Sequence, residues 1–467
     1  MEQKLSRSKE IKEAVDSTFE DYLKKGWIIP VAKGDEQRGH YLSHFVVSKT
    51  TRTTTKHRIV FNCAQKFAHQ HTRKSLNDAI LTGPKMHTDI VPVLLRFRRH
   101  KIAMAADISK MYLHFQLKPS DQLFHRFIWK GKPYQFTRWQ FGNKSAPCVA
   151  LTAVAYHASK CPDEAVRVAL KESLYVDDFM PSSRTLAEAI ALRELTELHL
   201  AKANLPLCKW VSNSKELMDT IPMDKRAAEF DISGDKDAVA SALGLAWDAT
   251  GDVIRLVPAE LQEETLTKTT MLSMLNGTFD PLGLADPVTL EGKKAMQTIN
   301  SLSKELEISW ATPLEQVQDD RIKEAVKQWR NYEKQIVQLG SIAFPRQIQM
   351  SPDQDVTIHI FCDGSKQAKG VVAYLVQGGP TPSSRIIWAK KVLTSLTPRS
   401  VPRIELEAAV IGAHMAVALR EVFGNAETHL WTDNIGAYYW IKKSGKQHDK
   451  VYVGHQVAEI FDMTNDC

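Results

Sequence analysis

The sequence predicts an α+β chain in which a large region of mixed helices and strands is followed by a separate α/β unit. Three observations lead to this prediction. Short apolar stretches separated by turn residues recur through the first 257 residues, which is typical of strands and hairpins. Residues 258–345 are charged and helical in pattern, and from residue 355 three strands, a helix and a fourth strand follow one another. At roughly 100–200 residues per domain, 467 residues suggest two to four domains.

Composition excludes several classes of protein. The six cysteines are scattered without CxxC spacing, which argues against a disulfide scaffold or structural zinc and for a reducing compartment. The N-terminal segment lacks the apolar core of a signal peptide, and no apolar run approaches the roughly 20 residues of a membrane span. A cytoplasmic or other intracellular location without a membrane partner is therefore expected. The net charge of +7 is as typical of a basic soluble enzyme as of a nucleic-acid-binding protein.

The elements of the first region can be placed from periodicity and turn residues. Residues 1–26 form a charged helical pattern that ends at Gly26. The other predicted elements are strands at 41–47 and 57–63 joined by a basic hairpin tip, a helix at 88–99, an apolar strand that stops at Asp107, a hairpin closed by Lys130–Gly131–Lys132, helices at 144–160 and 184–203, and a hairpin that turns at Thr250–Gly251. In the C-terminal unit the helix is expected at 403–422 and the fourth strand at 428–433.

Three aspartates follow apolar strands in this region. Asp107 ends one such strand, and Asp177 and Asp178 form an acidic pair inside SLYVDDFMPSS. Carboxylates that converge from separate strands can hold the two divalent ions used in phosphoryl transfer. Taken alone, an aspartate at a strand end is usually a cap, and an acidic pair at a hairpin tip is usually a solvated turn. The metal-binding interpretation therefore depends on the motifs that accompany these residues.

The accompanying motifs resemble those of reverse transcriptases and occur in the order of that family. YVDDF resembles the signature of the catalytic hairpin, AADISKMY the first catalytic motif, and FGNKSAP the motif beneath the templating base and incoming nucleotide. LCKWVSN and LGLAWD resemble the segments after that hairpin, the second at the primer grip. A narrower resemblance, to the BEL/Pao group of LTR retrotransposons, spans roughly residues 20–460; its motifs are TTTKHRIVFNCA, SLNDAILTGPKMHTDIVPVLLRFRRHKIAMAADISKMY, LCKWVSN, FDPLGLADPVTL and PRIELEAAV.

The resemblance implies a polymerase right hand of fingers, palm and thumb, then a connection region and an RNase H-like α/β domain. The expected boundaries are 1–257 for the reverse transcriptase, 258–350 for the connection and 351–467 for the RNase H-like domain. Asp107 and Asp177 would bind both of two Mg²⁺ or Mn²⁺ ions, and Asp178 would complete the acidic cluster.

The same resemblance implies residues that handle the incoming dNTP. Tyr112 falls at the steric gate against a ribose 2′-OH, with a core tyrosine as the alternative. Arg58 matches the fingers arginine that contacts the triphosphate, and Lys56 lies on the same strand face. Phe141 and Gly142 match the family's Phe-Gly, where glycine would let the backbone approach the nucleotide closely.

Four further positions carry weaker expectations. Lys209 and Trp210 resemble contacts to the thumb side or to the primer strand, whereas Trp247 is expected mainly in the core, with primer contact as the alternative. Asn62 departs from the family, because many relatives have aspartate after the fingers strand. That departure affects fine positioning and not the chemistry.

The unit from 355 to 467 resembles RNase H, which also uses two metal ions and takes water as its nucleophile. Asp363 in FCDGSK, Glu405 in RIELEAA and Asp433 in WTDN would supply the carboxylates and hold the two ions. Glu407 is the rival of Glu405, but it lies about 200° around the helix from it, and the motif register favours Glu405. A purely structural role for the three carboxylates is the alternative.

Enzymes of this type have a fourth acidic residue in a later segment. Asp462 and Asp466 do not sit in a matching motif, so the RNase H-like domain is expected to be C-terminally truncated and weak or inactive.

The function implied is that of an RNA-directed DNA polymerase of a retrotransposon, with endonuclease action on the RNA strand of hybrids. Its partners would be RNA template, DNA primer, RNA–DNA hybrid and dNTPs, and its location intracellular, including a virus-like particle. Retropepsin, zinc-knuckle and integrase motifs are not recognisable, so the chain is expected to be a piece of a larger polyprotein. The alternative is a decayed remnant that only binds nucleic acid. The oligomeric state stays open.

Overall fold

The computed structural model describes residues 8–50, 55–69, 72–227, 239–261, 265–351, 354–379, 382–424, 426–443 and 451–464. The chain forms two compact units, each assembled from several stretches. Unit 1 comprises Met1–Thr88, Asp107–Phe179 and Leu192–Cys208, and unit 2 comprises Asp89–Ala106, Met180–Ala191 and Lys209–Cys467.

The predicted helices are present close to their expected bounds, and the charged stretch 258–345 carries three of them. In the described chain the helices are α1 (Lys9–Lys24), α2 (Leu76–Ala79), α3 (Ile90–Arg99), α4 (Ala146–Ser159), α5 (Glu164–Glu172), α6 (Leu186–Ala201), α7 (Lys215–Asp219), α8 (Lys268–Gly277), α9 (Asp286–Leu302), α10 (Asp320–Ile336), α11 (Val401–Phe423), α12 (Ile435–Lys442) and α13 (Val451–Thr464).

The predicted strands are also present, with additional short ones between them. In the described chain the strands are β1 (Ile28–Pro30), β2 (Ser43–Thr50), β3 (Thr55–Asn62), β4 (Phe67–His69), β5 (Thr72–Lys74), β6 (Ile102–Ile108), β7 (Arg126–Trp129), β8 (Lys132–Phe136), β9 (Leu174–Tyr175), β10 (Asp178–Phe179), β11 (Ser182–Ser183), β12 (Leu207–Ser212), β13 (Val239–Ala242), β14 (Leu245–Asp248), β15 (Val253–Arg255), β16 (Ala343–Pro345), β17 (Val356–Gly364), β18 (Ala368–Gln377), β19 (Ser383–Leu393) and β20 (Glu427–Thr432).

The core of unit 1 forms where α1 packs against a small sheet of order β1-β8-β7. The Ser8 side chain caps α1 by accepting the backbone N–H of Ile11 at 3.4 Å, and Gly26, with φ +65°, follows its end as predicted. Phe19 is fully buried and stacks on Phe127 of β7, with ring centroids 5.0 Å apart. Burying such a ring contributes about 1.5–3 kcal/mol, which fixes α1 on the sheet.

Both predicted hairpins of unit 1 are confirmed. β2 and β3 pair antiparallel along their whole lengths, and residues 51–54 of the predicted tip lie outside the described residues. β7 and β8 turn at Lys130 and Gly131, which have φ values of +50° and +69°. Left-handed backbone at both positions matches the natural twist of the strands and explains the two-residue turn.

Two buried arginines tie together separate segments of unit 2. Arg346 is fully buried and donates to the Asp252 carboxylate at 2.6 and 2.8 Å, and to three carbonyl oxygens within residues 97–101, each at 2.8 Å. Arg98 donates to four carbonyl oxygens in residues 345–346 and 386–387 at 3.3–3.4 Å. Burial, assisted by Arg346, lowers the pKa of Arg98 to about 9. These bonds connect α3 with β16, with β19 and with the turn before β15.

The C-terminal α/β unit predicted from the sequence is confirmed within unit 2. Its sheet has the order β19-β18-β17-β20, in which β20 is parallel to β17 and the other pairs are antiparallel. Two glycines allow α11 to approach β17 closely. A Cβ on Gly364 would lie 2.9 Å from the backbone nitrogen of Glu405, and one on Gly412 would lie 2.5 Å from Cys362 Sγ. The first turns of α11 therefore lie beside the end of β17.

The segment FDPLGLADP fixes the start of α9 against the edge of this sheet. The Asp280 carboxylate accepts the backbone N–H groups of Leu284 at 3.0 Å and Ala285 at 2.7 Å. Gly283 has φ +67°, and a Cβ there would lie 2.1 Å from the carbonyl oxygen of Ala389 in β19. The motif, to which the sequence alone assigned no chemistry, thus has a structural explanation.

Candidate active sites

The first candidate site lies in unit 1, where the end of β6 meets an acidic hairpin. β9 and β10 pair antiparallel with Asp178 opposite Tyr175, so Asp177 lies in the turn between them. The backbone N–H of Ile108 donates to the carbonyl oxygen of Asp177 at 2.8 Å. Asp107, the residue before Ile108, is therefore next to the turn that carries the acidic pair.

The turn of this hairpin has an unusual backbone. Val176 has φ +56°, which is rare for a residue branched at Cβ. A strained conformation of this kind costs about 1–3 kcal/mol and persists only where the surrounding structure holds it. Such strain is concentrated at functional sites, and here it lies immediately before Asp177.

Cys208 contacts the first of the three aspartates. Its Sγ lies 3.4 Å from the carbonyl oxygen of Asp107 and 3.8 Å from Asp107 Oδ2, within reach of a weak S–H hydrogen bond. This contact could not be predicted from the sequence, because nothing in LCKW marks its cysteine as a neighbour of a residue 101 positions earlier.

Tyr112 contacts the Phe-Gly motif, and its expected role as a steric gate stays a prediction. Its ring is half-buried, and its centroid lies 4.7 Å from that of Phe141, whose side chain is 47% exposed. Burial, together with the charge of Asp177, raises the pKa of Tyr112 to about 12. The structure thus brings the predicted gate tyrosine, the Phe-Gly motif and the acidic turn into one neighbourhood.

Gly142 is required by the protein's own backbone. It has φ +99°, and a Cβ there would lie 2.2 Å from the carbonyl oxygen of Phe61 on β3. Asn77 holds the same loop from the other side, since its side chain donates to the Gly142 carbonyl at 3.0 Å and accepts the Lys144 N–H at 3.1 Å. The expected approach of Gly142 to a nucleotide stays a prediction.

The two basic residues expected at the triphosphate lie on β3. Arg58 is exposed and pairs in register with Val47, and the backbone of Lys56 pairs with that of Lys49. The side chain of Lys56 lies outside the described part of the structure. Triphosphate binding by Arg58 and Lys56 therefore stays a prediction.

The tryptophans expected near the primer are buried. Trp210 is 0% exposed, which contradicts the predicted contact with a primer strand, and its thumb-side contact stays a prediction; the sequence could not show that this face of β12 is covered. Trp247 is also 0% exposed, donates to Asp252 Oδ1 at 3.2 Å and meets the Phe97 ring edge-on at 4.8 Å. The expected core role of Trp247 is confirmed.

The second candidate site lies in unit 2, at the end of β17. Asp363 in that strand, Glu405 in the first turns of α11 and Asp433 after β20 offer carboxylate oxygens that all lie within 4.8 Å of one another. Among the residues that the structure describes, this is the one group of three or more acidic, histidine or cysteine side chains that meets this distance. The three aspartates of unit 1 do not meet it.

The electrostatics of this second site suit a cation. Glu405 is 4% exposed, whereas Asp363 and Asp433 are exposed. Burial and the charges of the two aspartates raise the pKa of Glu405 to about 7. Its Oε2 atom is buried without a hydrogen-bond partner, and a divalent ion held by three carboxylates would remove that deficit. The donor set therefore fits Mg²⁺ or Mn²⁺.

Glu407 has a different role from Glu405. It contacts Lys369 at 2.7 Å, Arg399 and the Tyr452 hydroxyl. Burial opposes ionisation, but these three hydrogen bonds outweigh it and lower the pKa of Glu407. Glu407 thus ties α11 to β18 and α13, and of the two rival glutamates Glu405 lies with the aspartates.

The family comparison covers this second site. Residues 267–434 match the family model of the Pao retrotransposon-like RNaseH-like domain. Over these residues the chain is similar to a Pao retrotransposon-like domain. The match includes FDPLGLADP and all three carboxylates of the second site, and it confirms the BEL/Pao resemblance. No curated protein sequence matches the chain.

Solved structures share the fold of nearly the whole chain. A foamy viral protease-reverse transcriptase dRH in complex with dsDNA is 15% identical, with a TM-score of 0.56 over 97% of this chain and 68% of that one. The foamy viral protease-reverse transcriptase in complex with dsDNA is 15% identical, with a TM-score of 0.53 over 97% of this chain and 80% of that one. The same protein in complex with an RNA/DNA hybrid is 13% identical, with a TM-score of 0.53 over 97% of this chain and 53% of that one. At these identities the likeness shows the fold alone: nearly the whole chain has the fold of the foamy viral protease-reverse transcriptases. In the described chain, no helix combines the length and apolar character that a membrane crossing requires.

Proposed function

We propose that this Pao-type chain is an RNA-directed DNA polymerase with an attached RNase H-like nuclease. In this proposal residues 1–257 are the fingers, palm and thumb, 258–350 the connection and 351–467 the RNase H-like domain. The observation that carries the polymerase proposal is the hydrogen bond from Ile108 to Asp177, because it joins the strand end at Asp107 to the acidic turn. The fold of the solved relatives supports it.

The residues of the first site would have different roles in nucleotide addition. Asp107, Asp177 and Asp178 would hold two divalent ions, which supply the positive charge that stabilises a transferring phosphoryl group. The half-buried ring of Tyr112, tilted against that of Phe141, would exclude a ribose 2′-OH. Arg58 would bind the triphosphate through its planar guanidinium. RNA template, DNA primer and dNTPs are the partners that this arrangement requires.

Primer extension tests the polymerase proposal. The purified chain, given an RNA template, an annealed DNA primer, dNTPs and Mg²⁺, should extend the primer, and Asp177→Asn should abolish extension. Asp320→Asn is the matched control, because Asp320 lies on an exposed helix end and its side chain is 98% exposed. Equal extension by Asp177→Asn and wild type would contradict the proposal. Salt-dependent binding of primer–template without extension would instead identify a nucleic-acid-binding remnant.

The nuclease part of the proposal rests on the cluster of Asp363, Glu405 and Asp433. These residues would hold divalent ions and position water against the RNA strand of a hybrid. The chain should then cut the RNA strand, weakly because no fourth acidic residue in a matching motif accompanies the three, in a metal-dependent reaction that Asp363→Asn abolishes and Asp320→Asn does not. Cleavage that survives Asp363→Asn would mean that the three carboxylates serve the fold alone.

A further inference from the structure

Lys110 is held in an unusual conformation between two residues of the proposed polymerase site. It follows Asp107 by three positions, precedes Tyr112 by two, and has φ +50°. Left-handed backbone is uncommon for lysine, which gains no local hydrogen bond there as asparagine does. Lys110 also begins the tight turn that carries Tyr112, because its carbonyl accepts the N–H of Leu113 at 2.9 Å.

The side chain of Lys110 reaches three residues at the end of α1. Its Nζ lies 3.1 Å from Asp21 Oδ2, 5.2 Å from the ring centroid of Tyr22 and 5.3 Å from that of Trp27. A cation over two aromatic faces and beside a carboxylate combines cation–π attraction with an ion pair. We call Asp21, Tyr22 and Trp27 the lysine cradle.

The lysine cradle is itself fixed to the body of unit 1. The backbone N–H of Trp27 donates to the Tyr22 carbonyl at 2.9 Å, just after α1 ends. The Trp27 carbonyl accepts the N–H of Thr137, also at 2.9 Å. Thr137 lies four residues before Phe141, on which the Tyr112 ring rests. The cradle and the ring contact of Tyr112 are therefore parts of one connected framework.

The other side of the turn is closed by packing. Met111 is 1% exposed, and His114 bonds through Nε2 to the carbonyl oxygen of Ser109 at 2.8 Å. With Met111 buried and the turn closed, the backbone at Lys110 sets the direction from which Tyr112 leaves the chain. A weaker hold on Lys110 would let the left-handed residue relax and move the Tyr112 ring.

We propose that Lys110 is a positioning residue for nucleotide selection, acting through Tyr112 by the anchorage of its ammonium group in the lysine cradle. The inference rests on the proposed polymerase function, because Tyr112 discriminates sugars only in that setting. It is separate from the chemistry, since the Lys110 ammonium lies in the lysine cradle and acts on the site through the turn that carries Tyr112. Nothing in ISKMY distinguishes this lysine from a solvated surface residue.

Two variants and a matched control test the proposal. Lys110→Ala removes the ammonium, and Lys110→Arg keeps a cation that can reach the same cradle. Lys25→Ala is the control, because Lys25 Nζ lies 2.8 Å from the same Asp21 oxygen and 4.8 Å from the Trp27 ring centroid but sits outside the turn. Amide hydrogen exchange of residues 109–115 measures positioning, and the ratio of ribonucleotide to deoxyribonucleotide insertion measures selection.

The expected results separate the two readouts. Lys110→Ala should speed exchange of residues 109–115 and raise ribonucleotide insertion about three- to tenfold, mainly through KM, whereas Lys110→Arg and Lys25→Ala should behave as wild type. Unchanged exchange in Lys110→Ala, or an equal effect of Lys25→Ala, would overturn the proposal. A wild-type chain that extends no primer would refute the polymerase function, and the exchange measurement would still decide whether Lys110 positions the turn.

Discussion

Replacing Glu405 by glutamine is expected to stabilise the metal-free protein at pH 8, although Glu405 belongs to the candidate nuclease site. Burial and the charges of Asp363 and Asp433 raise the pKa of Glu405 from 4.5 to about 7. Because the folded chain binds this proton more tightly than the unfolded chain, the associated stability is present below pH 4.5 and is lost as the pH rises to about 7. Full ionisation of Glu405 in the folded chain lowers the free energy of unfolding by about 3 kcal/mol. Salt screening of the two exposed aspartates reduces the expected gain to about 1–3 kcal/mol.

Amide hydrogen exchange of β17 and α11 in EDTA measures this effect as a local free energy of opening. The local free energy of opening of Glu405→Gln should exceed that of wild type at pH 8 and equal it near pH 4.5. The substitution should also abolish the stabilisation that Mg²⁺ gives the wild type. Glu407→Gln is the matched control two residues away. Its pKa is lowered by Lys369, Tyr452 and Arg399 against the effect of burial, so this substitution should destabilise by about 2 kcal/mol. A Glu405→Gln protein no more stable than wild type at pH 8 would refute the reasoning.

Three further outcomes follow from particular contacts. Gly142→Ala should destabilise unit 1 by about 2–4 kcal/mol in urea unfolding, because its Cβ would meet the Phe61 carbonyl and φ is +99°; an unchanged midpoint would show that the loop moves freely. Arg346→Met should cost about 3–5 kcal/mol in thermal unfolding, since it removes the cation paired with the Asp252 carboxylate and the donor to three carbonyl groups. Val176→Gly should raise the free energy of unfolding by about 0.5–1 kcal/mol, because glycine adopts the left-handed backbone of Val176 without strain. The same substitution should slow single-turnover primer extension, because the acidic turn loses rigidity. An extension rate at or above that of wild type would contradict the link between strain and function.

Local sequence patterns were sufficient for most of the elements. Apolar periodicity and turn residues located α1, the Lys130–Gly131 hairpin and the succession of strands and helix along the C-terminal unit, because each depends on residues close together in the chain. The helical offset between Glu405 and Glu407 also separated the two glutamates correctly in space. The local sequence pattern could not predict that Trp210 is buried. Which face of a short strand is covered depends on segments that are distant in the sequence.

The sequence by itself determined which residues can carry the chemistry: the carboxylates, the tyrosine and the Phe-Gly motif, in an order that resembles one family. The tertiary structure decided what those residues meet. It placed Asp177 beside the end of β6, gave Gly142 a backbone neighbour, raised the pKa of Glu405 and set Lys110 among the rings of α1. The physical reason is that burial, charge and ring contacts arise between segments tens to hundreds of residues apart, and no local pattern records them.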